Sequence, residues 1–122
     1  MSKLTTAFLA WVLEAIENEF DYIAIGSDDT AESEEDTALG TEITTNGGAR
    51  ALAIVDNTGG VLTITKEFEA TGALTVNEAG VFNADEAGTM MVRAIANSEI
   101  TLASGQFLEV IFKITVEEGV VA

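Results

Sequence analysis

The sequence predicts a mainly β fold, an antiparallel β-sandwich of the jelly-roll or immunoglobulin-like kind with seven or eight short strands and one N-terminal α-helix. Apolar residues recur three or four apart only near the N-terminus and alternate with polar residues in the short runs that follow. Turns rich in Gly, Asn and Asp separate those runs. Because 48% of the 122 residues are hydrophobic, the chain can bury a core as a single domain, with the helix in residues 1–20 and the sandwich in 21–122.

The helix is predicted over residues 4–19, with Ser2 as its N-cap. Its apolar stripe consists of Leu4, Phe8, Trp11, Val12, Ala15 and Ile16. Leu9 and Leu13 point away from that stripe, so the helix is apolar most of the way round and needs two neighbours. One interpretation places the whole helix in the core of this domain. The other adds a contact with a second subunit or a shell, made by Phe8, Leu9, Trp11, Val12 and Leu13.

Strands are predicted, in chain order, over residues 21–25, 50–56, 61–69, 74–76, 81–84, 89–96, 99–102 and 108–116, with 41–45 as a further candidate. In the last run, apolar side chains at every second position predict one buried face. In the run over 61–69, Lys66 falls on the apolar face, which predicts a bulge or a sheet edge there. Residues 77–80 are predicted to connect two short strands.

The charge is strongly unbalanced, with 21 acidic and 5 basic residues, a formal net charge of −16, and no His, Cys or Pro. Without His and Cys, the common catalytic triads, thiol nucleophiles and metal ligands are missing, so we expect no enzyme activity and no cofactor. So negative a surface repels phosphate backbones and anionic lipids, and we expect neither nucleic acid nor membrane as a partner. Repulsion among these charges lowers stability unless salt screens it, so the composition favours a protein adapted to high salt. The alternative is an acidic protein whose charge faces a cationic partner.

Six of these carboxylates lie within residues 28–36, which are predicted to form an exposed, solvated loop. A calcium loop needs oxygens at regular spacing and a Gly at its sharp turn, and this run has neither, so no metal site is expected. Glu67 and Glu69 share one strand face, and we interpret them as an outward polar face rather than a glycosidase pair.

Arg50 and Arg93 are the two arginines of the chain, and each lies in or beside a predicted strand. A bidentate pair with a carboxylate would orient neighbouring strands or subunits. Glu78 is a plausible partner, since it is the one acidic residue in the small, apolar stretch 76–82. The sequence therefore predicts structural ion pairing by Arg50, Glu78 and Arg93.

Four motifs, in this order, resemble a group of small virion proteins from tailed viruses of bacteria and archaea. They are FDYIAIG at 20–26, DTALGTEI at 36–43 followed by Arg50, VNEAGVFNA at 76–84 followed by GTMMVRA at 88–94, and the segment from Ile100 through the terminal strand. The chain departs from the family pattern in its acidic run, where relatives tend to have Gly, Thr and Ala. That departure fits a virus of a salt-loving host, such as a haloarchaeon.

The resemblance implies a non-enzymatic structural protein on the exterior of the virion, which decorates the capsid as a homo-oligomer. Such oligomers are often trimers, and their other partners would be the major capsid or tail proteins. No catalytic residues come with the family. A component of the tail, baseplate or receptor-binding fibre is one alternative. A carbohydrate-binding module is an alternative of another class, but the aromatic side chains it would need, Trp11 and Tyr22, are both predicted to be packed.

Overall fold

A computed structural model of the chain describes residues 2–116 and 120–121. The chain is mainly β, with one N-terminal helix. Its elements are β1 (Ser2–Lys3), α1 (Thr6–Glu19), β2 (Tyr22–Gly26), β3 (Ala51–Leu52), β4 (Ile54–Thr58), β5 (Val61–Glu69), β6 (Leu74–Phe82), β7 (Met90–Leu102), β8 (Phe107–Thr115) and β9 (Val120–Val121).

Two antiparallel sheets pack face to face. One has the strand order β3-β2-β6-β7 and the other β4-β5-β8, while β1 pairs with β9 apart from both. The main core joins the sheets, since Ile23 and Val81 of the first sheet lie in one cluster with Leu62, Ile64 and Phe68 of the second. The predicted mainly β, antiparallel sandwich with an N-terminal helix is confirmed.

The helix begins two residues later than predicted, because the Oγ1 atom of Thr5 accepts a hydrogen bond from the backbone N–H of Phe8 and caps it. The predicted cap, Ser2, instead lies in β1 and pairs with β9. Leu13 is buried at 4% exposure and packs with Ile16 and Phe20 on the main core. The buried face is centred on Leu13, which lies outside the predicted stripe, and it shares Ile16 with that stripe. Leu13 therefore belongs to the core rather than to an intersubunit contact.

The predicted strand over 50–56 is two strands in different sheets. β3 pairs with β2, whereas β4 pairs with β5. Ala53 lies between them, and its backbone N–H donates to the carbonyl of Asp21. Residues 41–45 form no strand; a single bridge joins Glu42 to Gly26.

The strand β6 runs without a break through residues 77–80, so the predicted turn there is wrong. Its pairing with β7 shifts register between Val76 and Glu78. Val76 and Ala79, three positions apart, both pack on the main core, so the side-chain alternation changes at this irregularity. As a result Glu78 points away from the main core. The strand β7 is also continuous, where the sequence predicts two strands over 89–96 and 99–102.

Lys66 lies in a regular part of β5, opposite Val110, and no register shift occurs there. The pairing of β5 with β4 ends at Thr65, so Lys66 begins the half of β5 that has β8 as its one neighbour. Of the two predicted possibilities, the edge position applies and the bulge does not.

The long connection from β2 to β3, residues 27–50, crosses the face of the four-stranded sheet that points away from the main core. Leu39 packs there with Ala24 and Phe82 in a second small cluster. This connection, which we call the covering loop, contains the acidic run 28–36.

Candidate functional site, a buried ion network and an exposed apolar face

The carboxylate of Glu78 is the centre of a buried network beneath the covering loop. Glu78 is 1% exposed. It accepts hydrogen bonds from the backbone N–H groups of Asp28 at 3.1 Å, Gly40 at 2.8 Å and Thr41 at 2.8 Å, and from Nε of Arg93 at 2.9 Å. Three of the four donors belong to the covering loop, so one carboxylate fastens that loop to β6 at two separate places.

Burial and hydrogen bonding act on this carboxylate in opposite directions. Burial raises the pKa of Glu78, whereas the hydrogen bonds from Thr41 and Arg93, followed by those from the other two amides, lower it. The net effect is a pKa below the ordinary value for a glutamate. Four donors directed at two oxygens therefore keep the buried carboxylate ionised.

Arg93 connects the same carboxylate to the acidic run. Its guanidinium lies 3.1 Å from Oδ2 of Asp36 and 3.3 Å from Oδ2 of Asp28, and it donates to the carbonyl of Thr30 at 3.0 Å. Burial lowers the pKa of Arg93, but the hydrogen bonds to Glu78 and Asp36 outweigh it and the net shift is upward. The predicted partners Arg93 and Glu78 are thus in contact, in a group with two further carboxylates.

The prediction of a solvated acidic loop is wrong for two of its six carboxylates. Asp28 and Asp36 are partly buried and bonded to Arg93, whereas the remaining four are exposed. Sequence reasoning missed this pairing because Asp28 and Arg93 are 65 positions apart. The one available signal was the scarcity of cations, which makes any buried arginine a centre for several carboxylates.

Two glycines leave the space that the network requires. A Cβ atom at Gly40 would overlap the side chain of Asp28, and one at Gly26 would overlap the carbonyl of Thr41 and a carboxylate oxygen of Glu78. The loop backbone can therefore approach Glu78 closely only where no side chain intervenes.

Arg50 forms a second clamp, with Glu42 rather than with the predicted Glu78. Its Nη2 and Nε atoms lie 2.7 and 3.1 Å from the two oxygens of Glu42, in a bidentate pair. The guanidinium also lies 3.6 Å from the centre of the Phe82 ring and donates to the carbonyls of Ala84 and Ala87. Arg50 thus ties the covering loop to the end of β6 and to the turn that follows it.

The chemistry of these clamps is structural. No buried side-chain nitrogen or oxygen among the described residues lacks a hydrogen-bond partner. Among those same residues, no three acidic side chains come together in a group that could hold a metal ion. Every charge in the network is held by fixed donors or acceptors, which suits a rigid attachment of the loop.

The outer side of the three-stranded sheet exposes apolar side chains to solvent. Four large apolar side chains are exposed on or beside the three-stranded sheet, namely Leu52, Ile54, Phe107 and Ile111. Ile54, Thr65 and Ile111 lie in one row across β4, β5 and β8. Ile54 is 77% exposed. Exposed Glu109 and its opposite neighbour Glu67 lie between Phe107 and Ile111 on the same outer side. We call the four exposed apolar side chains the apolar face.

The helix adds a pair of exposed aromatic rings. Phe8 and Trp11 stack with their ring centres 6.1 Å apart, and Trp11 is 64% exposed. Of the other predicted interface residues, Leu9 and Val12 are partly buried and Leu13 is in the core. The expectation that Trp11 is packed is wrong, because the core selects the opposite side of the helix.

No protein-family model matches the chain, and no curated protein matches it significantly. In the described part of the chain, no helix has the length and apolar character needed to cross a membrane. The features that bear on function are therefore the attached covering loop and the apolar face.

Proposed function

We propose that the chain is a non-enzymatic structural subunit of a tailed-virus particle, which associates with copies of itself and decorates the exterior of the capsid. One observation carries this proposal. The molecule has an apolar, exposed face on one sheet and a firmly attached acidic loop on the outer side of the other. A repeating part of a shell needs this division, with one side for contact and one side for the medium.

The apolar face supports association. The chain has a net charge of −16, so large exposed apolar side chains contrast with its acidic surface. These side chains are Leu52, Ile54, Phe107 and Ile111. Clustered exposed apolar side chains in soluble proteins mark surfaces of interaction. Covering them would remove apolar area from water at about 25 cal/mol per Å².

The motifs behind the resemblance support the proposal from another direction. The first three motifs meet at the buried network. The first contributes Gly26, the second contributes Gly40 and Thr41, and the third contributes Glu78 and Arg93. Some of the residues that carry the resemblance therefore attach the covering loop. A shared way of fixing this loop would explain why these short segments are alike.

Adaptation to high salt, as in a haloarchaeal host, belongs to the same proposal. Four exposed carboxylates of the acidic run add to the repulsion of the net charge. Salt at 1 M shortens the screening length to about 3 Å and weakens this repulsion. We expect the melting temperature to rise steeply between low and molar salt; a flat series would contradict salt adaptation.

Two experiments test the structural role. Size exclusion with light scattering in molar salt should give a discrete oligomer, and a monomer at all concentrations would count against decoration. Cryo-electron microscopy of intact particles should place the density on the capsid. Density on the tail, baseplate or fibre would select the alternative location, and absence from the particle would reject the proposal.

Carbohydrate binding is a second candidate, favoured by the exposure of Trp11. Its ring lines a surface depression together with Glu14, Asn18 and Glu19, a set that offers a stacking face and hydrogen-bonding groups. Glycan-array binding that disappears in Trp11→Ala would support this function. An array without signal would reject it, and the stacked rings would then remain as contact surface.

A further inference from the structure

The strand β8 is the long, regular free edge of the sandwich. Among the described residues its one hydrogen-bonded neighbour is β5, and all nine of its residues pair in unbroken register. Of the other outer strands, β3 has two residues, β4 is packed by α1, and β7 is interrupted by register shifts. The free edge of β8 can therefore accept a further strand.

Natural edge strands are protected by short length, Pro, bulges, inward-pointing charges or edge charges such as Lys, and of these β8 has only the edge charges. The residues of β8 include no Pro, and both of its charges, Glu109 and Lys113, are exposed on the outer side. On the inner side, Leu108, Val110, Phe112 and Ile114 are only partly buried. Leu108, Val110 and Phe112 line a cleft of about 270 Å³ between β8 and β7.

We infer that β8 pairs with β8 of a second copy, antiparallel, about a twofold axis that passes at Ile111. In this register Glu109 lies opposite Lys113 of the second copy, and the symmetric pair repeats the contact. Ile111 lies opposite its own copy on the apolar face. The two three-stranded sheets become one six-stranded sheet, in which the row of Ile54, Thr65 and Ile111 continues into the second molecule.

The charges select this register. A shift by two residues places Glu109 opposite Ile111 or Thr115 and leaves Lys113 without a carboxylate. A shift by four places Glu109 opposite Glu109, or Lys113 opposite Lys113. Shifts by one residue exchange the inner and outer faces and bring apolar inner side chains to the outside. Only the register centred on Ile111 pairs both charges.

Neither charge forms a salt bridge with another described residue. Glu109 lies directly opposite Glu67 on β5, and like charges in that arrangement are unfavourable. Lys113 lies opposite Thr63, and no described carboxylate is within salt-bridge distance of it. A second copy would provide Glu109 with a cation and Lys113 with a carboxylate.

The first test reverses these charges singly and together. Lys113→Glu and Glu109→Lys each convert two attractive contacts across the axis into two repulsive ones, and each should weaken dimerisation about tenfold or more. The double variant restores opposite charges and should return the dissociation constant to within about threefold of wild type. Sedimentation equilibrium of the full chain is measured at the lowest salt at which every variant stays folded.

A change in net charge predicts a different pattern, which provides the control. Glu109→Lys makes the chain less negative, so general repulsion alone would tighten association where we expect weakening. Glu34→Lys makes the same change of charge at an exposed position of the covering loop. This control should leave dimerisation unchanged or slightly tighter.

The second test uses the absence of native Cys. Ile111→Cys should oxidise to a covalent dimer, because opposite Cα atoms in an antiparallel pair are about 4.5–5.5 Å apart, within the range of a disulfide. Phe107→Cys is equally exposed, but its two copies would lie about 27 Å apart along the strands and should not cross-link.

This inference rests on the proposed function, since it names the contact through which copies associate, and the outcomes separate the two. A monomer, or an oligomer indifferent to charge reversal, would overturn β8 pairing; the latter would leave a structural subunit that assembles through another surface. A dimer that behaves as described but has no place on the particle would reject the virion role and retain the β8 contact.

Discussion

The two outer faces of the sandwich differ in how they treat charge and apolar surface. On the four-stranded sheet, the covering loop buries Glu78 and Arg93 and provides a partner for every polar atom of the network. On the three-stranded sheet, apolar side chains such as Ile54 and Ile111 are exposed to solvent. The polar groups of the first face are paired within one molecule, whereas the second face leaves large apolar side chains in contact with water.

The two faces also differ in which cations they contain. The side chains of both arginines are buried where the covering loop is attached, and their forked guanidinium groups meet several acceptors at once. Lys66 and Lys113 lie on the three-stranded sheet, and neither forms a salt bridge with another described residue. The arginines therefore attach the covering loop, and these two lysines take no part in that attachment.

The largest expected effect is the loss of Arg93. Arg93→Met leaves the buried carboxylate of Glu78 without its cation and frees Asp28 and Asp36, which should lower the free energy of unfolding by about 3–5 kcal/mol. Chemical denaturation in molar salt measures the loss. The double variant Arg93→Met with Glu78→Met should recover part of it, because no buried charge remains unpaired.

Lys66→Met is the matched control for this prediction, since it removes one positive charge from a partly buried strand position that has no salt bridge among the described residues. It should change the free energy of unfolding by less than about 1 kcal/mol. Equal effects of Arg93→Met and Lys66→Met would mean that the network does not stabilise the loop-covered face.

Acid should act on the same face through Glu78. Because its pKa is lower in the folded chain than in the unfolded chain, its contribution to stability is present above the unfolded value and is lost as the pH falls through the folded value. The wild type should therefore lose more stability than Glu78→Gln between about pH 5 and pH 3. Parallel thermal melting curves of both proteins across this range test the sign; identical slopes would contradict the assignment.

A smaller effect is expected at the second clamp. Arg50→Lys keeps the charge but loses the bidentate pair with Glu42 and the planar stacking on Phe82, at a cost of about 1–2 kcal/mol. Faster proteolysis of the covering loop should accompany the loss. Unchanged stability would indicate that a point charge is sufficient at this position.

The smallest effect on stability is expected at the apolar face. Ile54→Thr changes a side chain that is 77% exposed and should alter the stability of the folded monomer by less than about 0.5 kcal/mol. The same substitution should weaken association if the apolar face is a contact surface. Denaturation measures the first quantity and light scattering the second. A large loss of stability would show that Ile54 is packed within one molecule.

Strong local patterns were readable from the sequence. The run predicted over 61–69 forms β5 with the same bounds, because alternation and flanking turns are properties of neighbouring residues. The sequence predicts two strands in the place of β6, because Asn77 and Gly80 are typical of turns. In the fold Asn77 donates to the carbonyl of Ser27, and Glu78 meets its four donors, so partners distant in sequence outweigh the local preference.

The sequence by itself determined the mainly β class, the helix, most strand positions and the expectation that scarce arginines pair with carboxylates. Only the tertiary structure decided which side of the helix is buried, that Arg50 pairs with Glu42, and that Asp28 and Asp36 join Arg93. The physical reason is range. Periodicity and turn chemistry act between neighbours, whereas burial and ion pairing depend on which distant segments meet once water is excluded.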